Sequence, residues 1–272
     1  MSNKQVVLVT GATRGLGYAI ADEFCNRGHI VYGAGRSWDK TESKPSFVAL
    51  TMDVTDENSV SKNVDKIIDE QGKIDILINN AGISHFGPLE ETPIAYARRV
   101  FETNYFGIIR VTNAVLPFMR KQNAGTVVNI GSAGGKIGIP FQGHYCASKF
   151  AVEGLSETMM HELKPFGIRV ILIEPGDIET TIWRNTRTEP NSQSPYFTAM
   201  KKFLSKKDEE MSGKATSPAK TASDIADIVL SDSRRLRYPV AKMARALLFL
   251  RKLTPDDVFL WVVAKNYRQT SG

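Results

Sequence analysis

Tyr145-Cys146-Ala147-Ser148-Lys149 sets a phenol and an amine four residues apart. The segment opens an apparent helix, so both side chains fall on one face. A free tyrosine titrates near ~10, whereas a general acid/base works best near the operating pH. Closing a gap of roughly three units takes about 4 kcal/mol, which nearby cationic charge can supply, and Lys149 is positioned to do so. The chemistry of such a pair is proton transfer to or from an oxygen. Taken alone it is common on helix surfaces and reads as structural.

A second candidate lies near the N-terminus. Thr10-Gly11-Ala12-Thr13-Arg14-Gly15-Leu16-Gly17 follows the apolar run Val6–Val9 and leads into a helix. Glycines at such a turn let the backbone approach a pyrophosphate, which rests at the positive helix N-terminus. A lone glycine motif is weak, but this one has the strand before it and the helix after it that the motif requires. About 20 residues past the glycines, Ala34-Gly35-Arg36-Ser37 ends the next apolar run. A site selective for NAD would place Asp or Glu there to accept from the ribose 2′-hydroxyl. Arginine stands in that place, and Arg14 in the glycine loop points to the same neighbourhood. Two guanidinium groups suit a 2′-phosphate, so the cofactor expected is NADP(H). Either arginine by itself would be an ordinary surface residue.

These groups need a scaffold, and the apolar pattern supplies one. Short runs at Val6–Val9, Ile30–Gly33, Phe47–Leu50, Ile74–Ile78, Thr126–Ile130 and Arg169–Ile173 read as strands, with a further short one at Leu236–Val240. Leu16, Ile20 and Phe24 mark one buried helix face between strands, and Val60, Val64 and Ile68 another. Thr92-Pro93 looks like a cap with proline at the first helical position, opening a helix through Phe106 that Pro117 should kink or end. A helix from near Tyr145 should carry Phe150, Leu155 and Met159 inward. Parallel strands need right-handed crossovers, so the fold expected is α/β: a single doubly wound, Rossmann-type parallel sheet with helices on both faces. One domain is expected over residues 1–272. Residues 177–222, with one plausible helix at Ala199–Leu204, read as a substrate lid, followed by a helix at Ser223–Leu230. A helical tail follows residue 240.

Composition narrows the classes. The net charge is +6, but no nucleic-acid-binding motif accompanies it, so no nucleic-acid role is expected. The chain has two cysteines, Cys25 and Cys146, which suits reduced thiols in a cytoplasmic setting. No run of 18 apolar residues predicts a membrane span. No His/Cys/Asp spacing suggests a metal. His29 and His161 read as surface or helix residues. In the tail, Leu247–Leu250 and Phe259–Val263 form two apolar clusters on a basic segment. They are expected to cover the substrate lid or another subunit, with peripheral membrane contact as the less favoured alternative.

The combination resembles the short-chain dehydrogenase/reductase family. The resemblance runs from about Val6 to Thr181 and is carried by Thr10–Gly17, Asp53-Val54, Asn79-Asn80-Ala81-Gly82, Asn104, Ser132, Tyr145, Lys149 and Pro175-Gly176 with Thr180. It implies that Tyr145 is the general acid/base, that Ser132 hydrogen-bonds the substrate oxygen, and that Lys149 lowers the tyrosine pKa and holds the nicotinamide ribose. Asn104 would anchor a water in a proton relay. The cofactor-binding residues expected are Gly11, Thr13, Arg14, Gly15, Leu16, Gly17, Arg36, Ser37, Asp53, Val54, Asn80, Ala81, Gly82, Tyr145, Lys149, Pro175, Gly176, Ile178 and Thr180. Of these the resemblance places Asp53 and Val54 at the adenine, Asn80 at the ribose side, and Ile178 with Thr180 at the carboxamide. Asn79 can equally bridge strands, and Asp53 can equally cap its loop. His85 and Phe141, with Ser132 and Tyr145, would line the substrate pocket. The segment Arg237-Tyr238-Pro239-Val240 and the tail look like the subgroup acting on steroids and retinoids. The activity implied is NADP(H)-dependent interconversion of an alcohol and a ketone on a bulky apolar substrate such as a hydroxysteroid or bile acid, by a homo-oligomer. A general aldehyde/ketone reductase and a non-catalytic NADP(H)-binding regulator are the alternatives.

Overall fold

The computed structural model describes residues 4–38, 45–179, 190–212, 215–241 and 244–266. Its strands are β1 (Val6–Thr10), β2 (Ile30–Gly35), β3 (Val48–Thr51), β4 (Ile76–Asn79), β5 (Gly125–Ile130), β6 (Ile168–Pro175) and β7 (Arg237–Val240). All pair in parallel in the order β3-β2-β1-β4-β5-β6-β7. The chain reaches one edge at β3 and returns beside β1 as β4. The point where strand order reverses therefore lies between β1 and β4.

Both faces of the sheet are covered, which is why its strands read as near-continuous apolar runs. The helices are α1 (Gly15–Asn26), α2 (Glu57–Gln71), α3 (Ile94–Phe101), α4 (Gly107–Gln122), α5 (Gly143–Leu163), α6 (Phe197–Met211), α7 (Pro218–Leu230), α8 (Ala244–Leu253) and α9 (Asp256–Asn266). Strand side chains alternate between faces. Val6 and Leu8 join a core with Val64 of α2, Val115 of α4 and Val152 of α5. Val7 and Val9 join another with Ile20 and Phe24 of α1 and Ile225 of α7. A third, smaller cluster lies outside the sheet: Phe203 and Leu204 of α6 pack with Phe86, against Ile139 and Phe141.

Several local expectations are corrected. Helix α3 starts at Ile94, and Pro93 before it makes no side-chain cap bond. Thr92 lies one residue before the cap position, and its Oγ1 donates to Pro88 O at 2.7 Å. A π-helical turn, Glu102–Phe106, joins α3 to α4 without a break. Pro117 sits inside α4, which runs on to Gln122 and ends on the left-handed Asn123. Phe150 is exposed, because the inward face of α5 falls on Cys146, Lys149, Val152, Glu153, Ser156 and Met159. His29 is buried rather than at the surface, its Nδ1 accepting from Gln5 N at 3.3 Å, and burial lowers its pKa. The tail clusters are not buried together. Phe259 is buried, but Phe249, Leu250, Leu260 and Trp261 face outward, while α8 packs on β7. No helix among the described residues is long and apolar enough to cross a membrane.

One polar thread passes through the first core. Asn79 Nδ2 donates to Thr112 Oγ1 and Asn129 Oδ1, both at 3.0 Å, and Asn129 Nδ2 donates to Ser156 Oγ at 3.0 Å. It joins β4, α4, β5 and α5 below the site, so Asn79 bridges strands. Replacing Asn129 by alanine leaves the Asn79 amide and Ser156 hydroxyl buried without these partners. The expected cost is about 1–3 kcal/mol of stability, read as a lower denaturant midpoint with an unchanged slope.

Candidate active site

Parallel pairing brings the C-terminal ends of all seven strands to one edge, and the sequence candidates gather there. β1 ends in Thr10, whose Oγ1 accepts from Asn80 N and Ala81 N at 3.0 Å each. Asn80 Nδ2 donates to Thr10 O at 2.9 Å and Gly11 O at 3.2 Å. The loop after β4 thus holds the glycine loop after β1, and Asn80 is committed to that task by its side chain. Gly11 has a φ of +67°, and a Cβ there would come within 2.8 Å of Ala81 Cα. At Gly17 a Cβ would lie 2.2 Å from Gly11 O. Glycine is required at both places for the helix to start so close under the strand. Helix α1 begins after Arg14, which makes no side-chain cap hydrogen bond. Its first-turn N–H groups thus receive no side-chain cap, and a phosphate is a fitting partner for such a helix start.

Ala12 N donates to Ala34 O at 2.9 Å, and Thr13 packs against Gly35. This brings Arg14 and the Arg36-Ser37 end of β2 to one exposed corner. Asp53 Oδ1 accepts from Thr55 N and Thr55 Oγ1, so it does cap its own loop. Val54 is buried against Gly107. Gly176 N donates to Val240 O at 3.0 Å, and Ile178 bridges Thr216. Thr180 lies outside the described residues.

The proton-handling groups come from three elements. Ser132 follows β5, and its Oγ accepts from Gly134 N at 3.0 Å. Tyr145 and Lys149 stand on the first turns of α5. A Cβ on Gly134 would lie 3.4 Å from Ser132 Oγ and 3.5 Å from Tyr145 Cε1, so the two side chains meet at one place. Asn104, fully buried in the π-helical turn, accepts from Ile83 N at 2.8 Å and donates to Ile83 O at 2.9 Å and Ser148 Oγ at 3.0 Å. It locks the loop after β4 to α5. Lys149 Nζ donates to Ile130 O at 2.7 Å and stands 5.8 Å from the centre of the Tyr145 ring.

Burial pushes the Tyr145 phenol up to about 12; Ser132 opposes this, and the nearby Cys146 and Asp177 add to it. Burial also brings Lys149 down to about 8, with its ammonium turned to the Ile130 carbonyl. The phenol is therefore neutral through the physiological range and holds a proton it can donate.

The substrate-side residues are placed differently from one another. Burial, with His144 adding, keeps His85 below the usual histidine range. Its Nε2 lies 3.2 Å from Thr92 Oγ1, and its ring stacks on Tyr96 with centroids 4.7 Å apart. Phe141 adopts a φ of +61°, and its ring lies 5.4 Å from Phe203 of α6. It anchors that helix as much as it walls a pocket. A cavity of about 470 Å³ lies between the 85–96 segment and the start of α6, bordered by His85, Glu91, Tyr96, Tyr196 and Met200. Ser132, Tyr145 and Lys149 do not border it, so it adjoins the site on the His85 side without containing the reacting groups. Two features escaped the sequence reading. Lys207 of α6 donates to Asp177 Oδ1 at 2.6 Å, tying the helix to the loop after β6. Glu153 and Glu174 lie buried behind Lys149. Both depend on contacts between residues 20 or more apart, and no local spacing announces them. Among the described residues no cluster could hold a metal ion.

Comparison with known proteins fits this geometry. Residues 5–191 match the family model described as short chain dehydrogenase. The chain is 38% identical to the 3-ketodihydrosphingosine reductase of Bacteroides thetaiotaomicron, over 97% of this chain and 98% of that protein. It is similar in structure to a short-chain dehydrogenase from Streptomyces avermitilis, with a TM-score of 0.80, 30% identity, and 98% and 100% of the two chains covered. A short-chain dehydrogenase/reductase from Burkholderia phymatum, solved in complex with NAD, aligns with a TM-score of 0.78, 26% identity and 95% of each chain.

Replacing Tyr145 with phenylalanine removes the proton donor while keeping the ring. Turnover is expected to fall by at least roughly a hundredfold with cofactor affinity little changed. Near-intact turnover would overturn the assignment. The lysine gives a pH signature. Its ammonium is lost as pH rises through about 8. Carbonyl reduction should therefore slow as pH rises above that point, as read from kcat across a pH series.

Proposed function

The chain belongs to the short-chain dehydrogenase family, and from that premise we propose that it is an NADP(H)-dependent oxidoreductase interconverting a secondary alcohol and a ketone on a bulky apolar substrate. The observation that carries this reading is the meeting of Tyr145 and Ser132 beside Gly134, on the same sheet edge as the uncapped start of α1. When bound, the cofactor supplies or accepts a hydride at its nicotinamide ring. The chain's own groups do the rest. Ser132 Oγ and the Tyr145 hydroxyl converge on one oxygen position. In reduction the neutral phenol gives its proton to the carbonyl oxygen, and in oxidation it takes the proton back. Lys149 holds a positive charge behind the ring, which limits the cost of the phenolate left after donation. Asn104 keeps the loop after β4 against α5.

The preference for NADP(H) is supported by Arg14 and Arg36 at one exposed corner. The substrate reading is supported by α6, which the Phe86–Phe141–Phe203 contacts hold over the site side of the sheet, and by the name of the Bacteroides relative, which is a reductase of a long-chain ketone. A long-chain keto lipid therefore leads, ahead of the hydroxysteroid or bile-acid alcohol suggested by the tail. We also take the protein to be a cytoplasmic homo-oligomer. Free Cys25 and Cys146 suit that compartment, and the outward Phe106 and Phe150 suit a subunit contact.

Two measurements test the proposal. In a panel of a long-chain 2-amino-3-ketone, a ketosteroid and a small ketone, scored by NADPH absorbance, kcat/KM should be highest for the long-chain ketone. Equal rates on all three would favour a general reductase. Tight NADPH binding with no turnover on any would favour a cofactor-binding regulator. For the cofactor, Arg36→Asp should weaken NADPH by charge repulsion and improve NADH relative to it. A wild-type protein that already prefers NADH would overturn the assignment.

A further inference from the structure

One turn beyond Lys149, the inward face of α5 carries Glu153, which is 4% exposed, opposite Glu174 of β6, which is 2% exposed. Glu153 Oε2 accepts from Lys136 Nζ and from Arg237 Nε, each at 2.8 Å. Its other oxygen, Oε1, is buried and has no hydrogen-bond partner. Glu174 follows Leu172 by two residues on β6 and so shares the face that packs on α5, near enough to Glu153 for that carboxylate's charge to raise its pKa. A carboxylate only accepts, so Oε1 gains a donor here when Glu174 carries a proton. Glu153 already faces two cations, which leaves the proton on Glu174.

The groups in this cluster stand on segments that also bear the site. Lys136 closes the turn that begins at Ser132. A Cβ on Gly135 of that turn would lie 3.0 Å from Lys149 O and 3.3 Å from Glu153 Cγ, so turn and helix are in direct contact. Glu174 immediately precedes Pro175-Gly176, and Arg237 lies on β7. Around the pair, α5 contributes Glu153 and, further out, Glu157, which accepts from Arg237. The turn contributes Lys136 and β7 contributes Arg237. Arg245 of α8 donates to the carbonyl of Pro239, the ladder partner of Glu174.

We propose that Glu153 and Glu174 are positioning residues that share one proton, clamping the strand that leads into Pro175-Gly176 to the helix that carries Tyr145 and Lys149. Loss of that proton sets two carboxylates against each other and loosens the nicotinamide end of the site. Burial and then the charge of Glu153 push Glu174 up to about 7, against the pull of Lys136 and Arg237. The clamp would thus open across the physiological range. The inference rests on the reading of Tyr145 and Lys149 given above, and its test is chosen to outlive that reading.

Glu174→Gln keeps the shape and a permanent donor. In the wild type, kcat for ketone reduction should fall by roughly three- to tenfold between pH about 6 and about 8, with the KM for ketone little changed. In E174Q that fall should be absent, leaving only the later decline set by Lys149. NADPH affinity, read by nicotinamide fluorescence, should weaken with pH in the wild type and not in E174Q. Stability gives a third reading. A carboxyl raised in the folded state stabilises below its unfolded pKa of about 4.3 and loses that contribution as pH rises to about 7. The wild-type melting temperature should therefore drop relative to E174Q over that window. Glu174→Leu, which fills the space without a donor, should give a folded protein with lowered kcat at every pH. Binding and melting curves that run in parallel for wild type and E174Q would overturn the clamp. If no ketone is turned over at all, those two curves still decide it, while the catalytic reading fails separately.

Discussion

A parallel sheet forces two conditions on the chain. Every crossover must return to the same end, so all strands finish at one edge, and both faces must be covered by helices. The covering fixes the apolar strands, with Val6 and Leu8 turned to one core and Val7 and Val9 to the other. The shared edge fixes the chemistry. The glycine loop after β1, the Asn80 segment after β4, Ser132 after β5 and Pro175-Gly176 at the end of β6 meet because the strands that end there are paired, although up to 165 residues separate Gly11 from Gly176.

Burial then sets the character of the reacting groups. Tyr145 and Lys149 both sit where charge is disfavoured, so the phenol is held neutral and the amine is brought towards neutrality. The same desolvation acts one helical turn deeper on Glu174. Most polar groups in this core are paired. Asn79 Nδ2 donates to Asn129, Asn129 Nδ2 donates to Ser156, and Glu153 Oε2 is met by Lys136 and Arg237. Such pairs tie the strands to α5.

Helix α6 stands apart from both sheet cores. Phe203 packs against Phe86 and Phe141, and Lys207 pairs with Asp177. The side chains proposed to meet the substrate and those proposed to move its proton thus stand on different elements.

What the sequence determined by itself was whatever depends on local spacing. Alternation of short apolar runs with amphipathic ones gave seven strands and the doubly wound class, and the glycines of 10–17 and the four-residue step from Tyr145 to Lys149 were legible because each is contained within a turn or two of chain. Misreadings arose where a local rule met a tertiary contact. Phe150 looked inward by type, but the face of α5 is set by what β5 and β6 offer. Only the folded chain decided the ionisation of Tyr145, Lys149 and Glu174. A pKa shift follows from desolvation and from charges brought close by folding, and Glu153, Glu174, Lys136 and Arg237 become neighbours through packing across four elements rather than through any spacing along the chain.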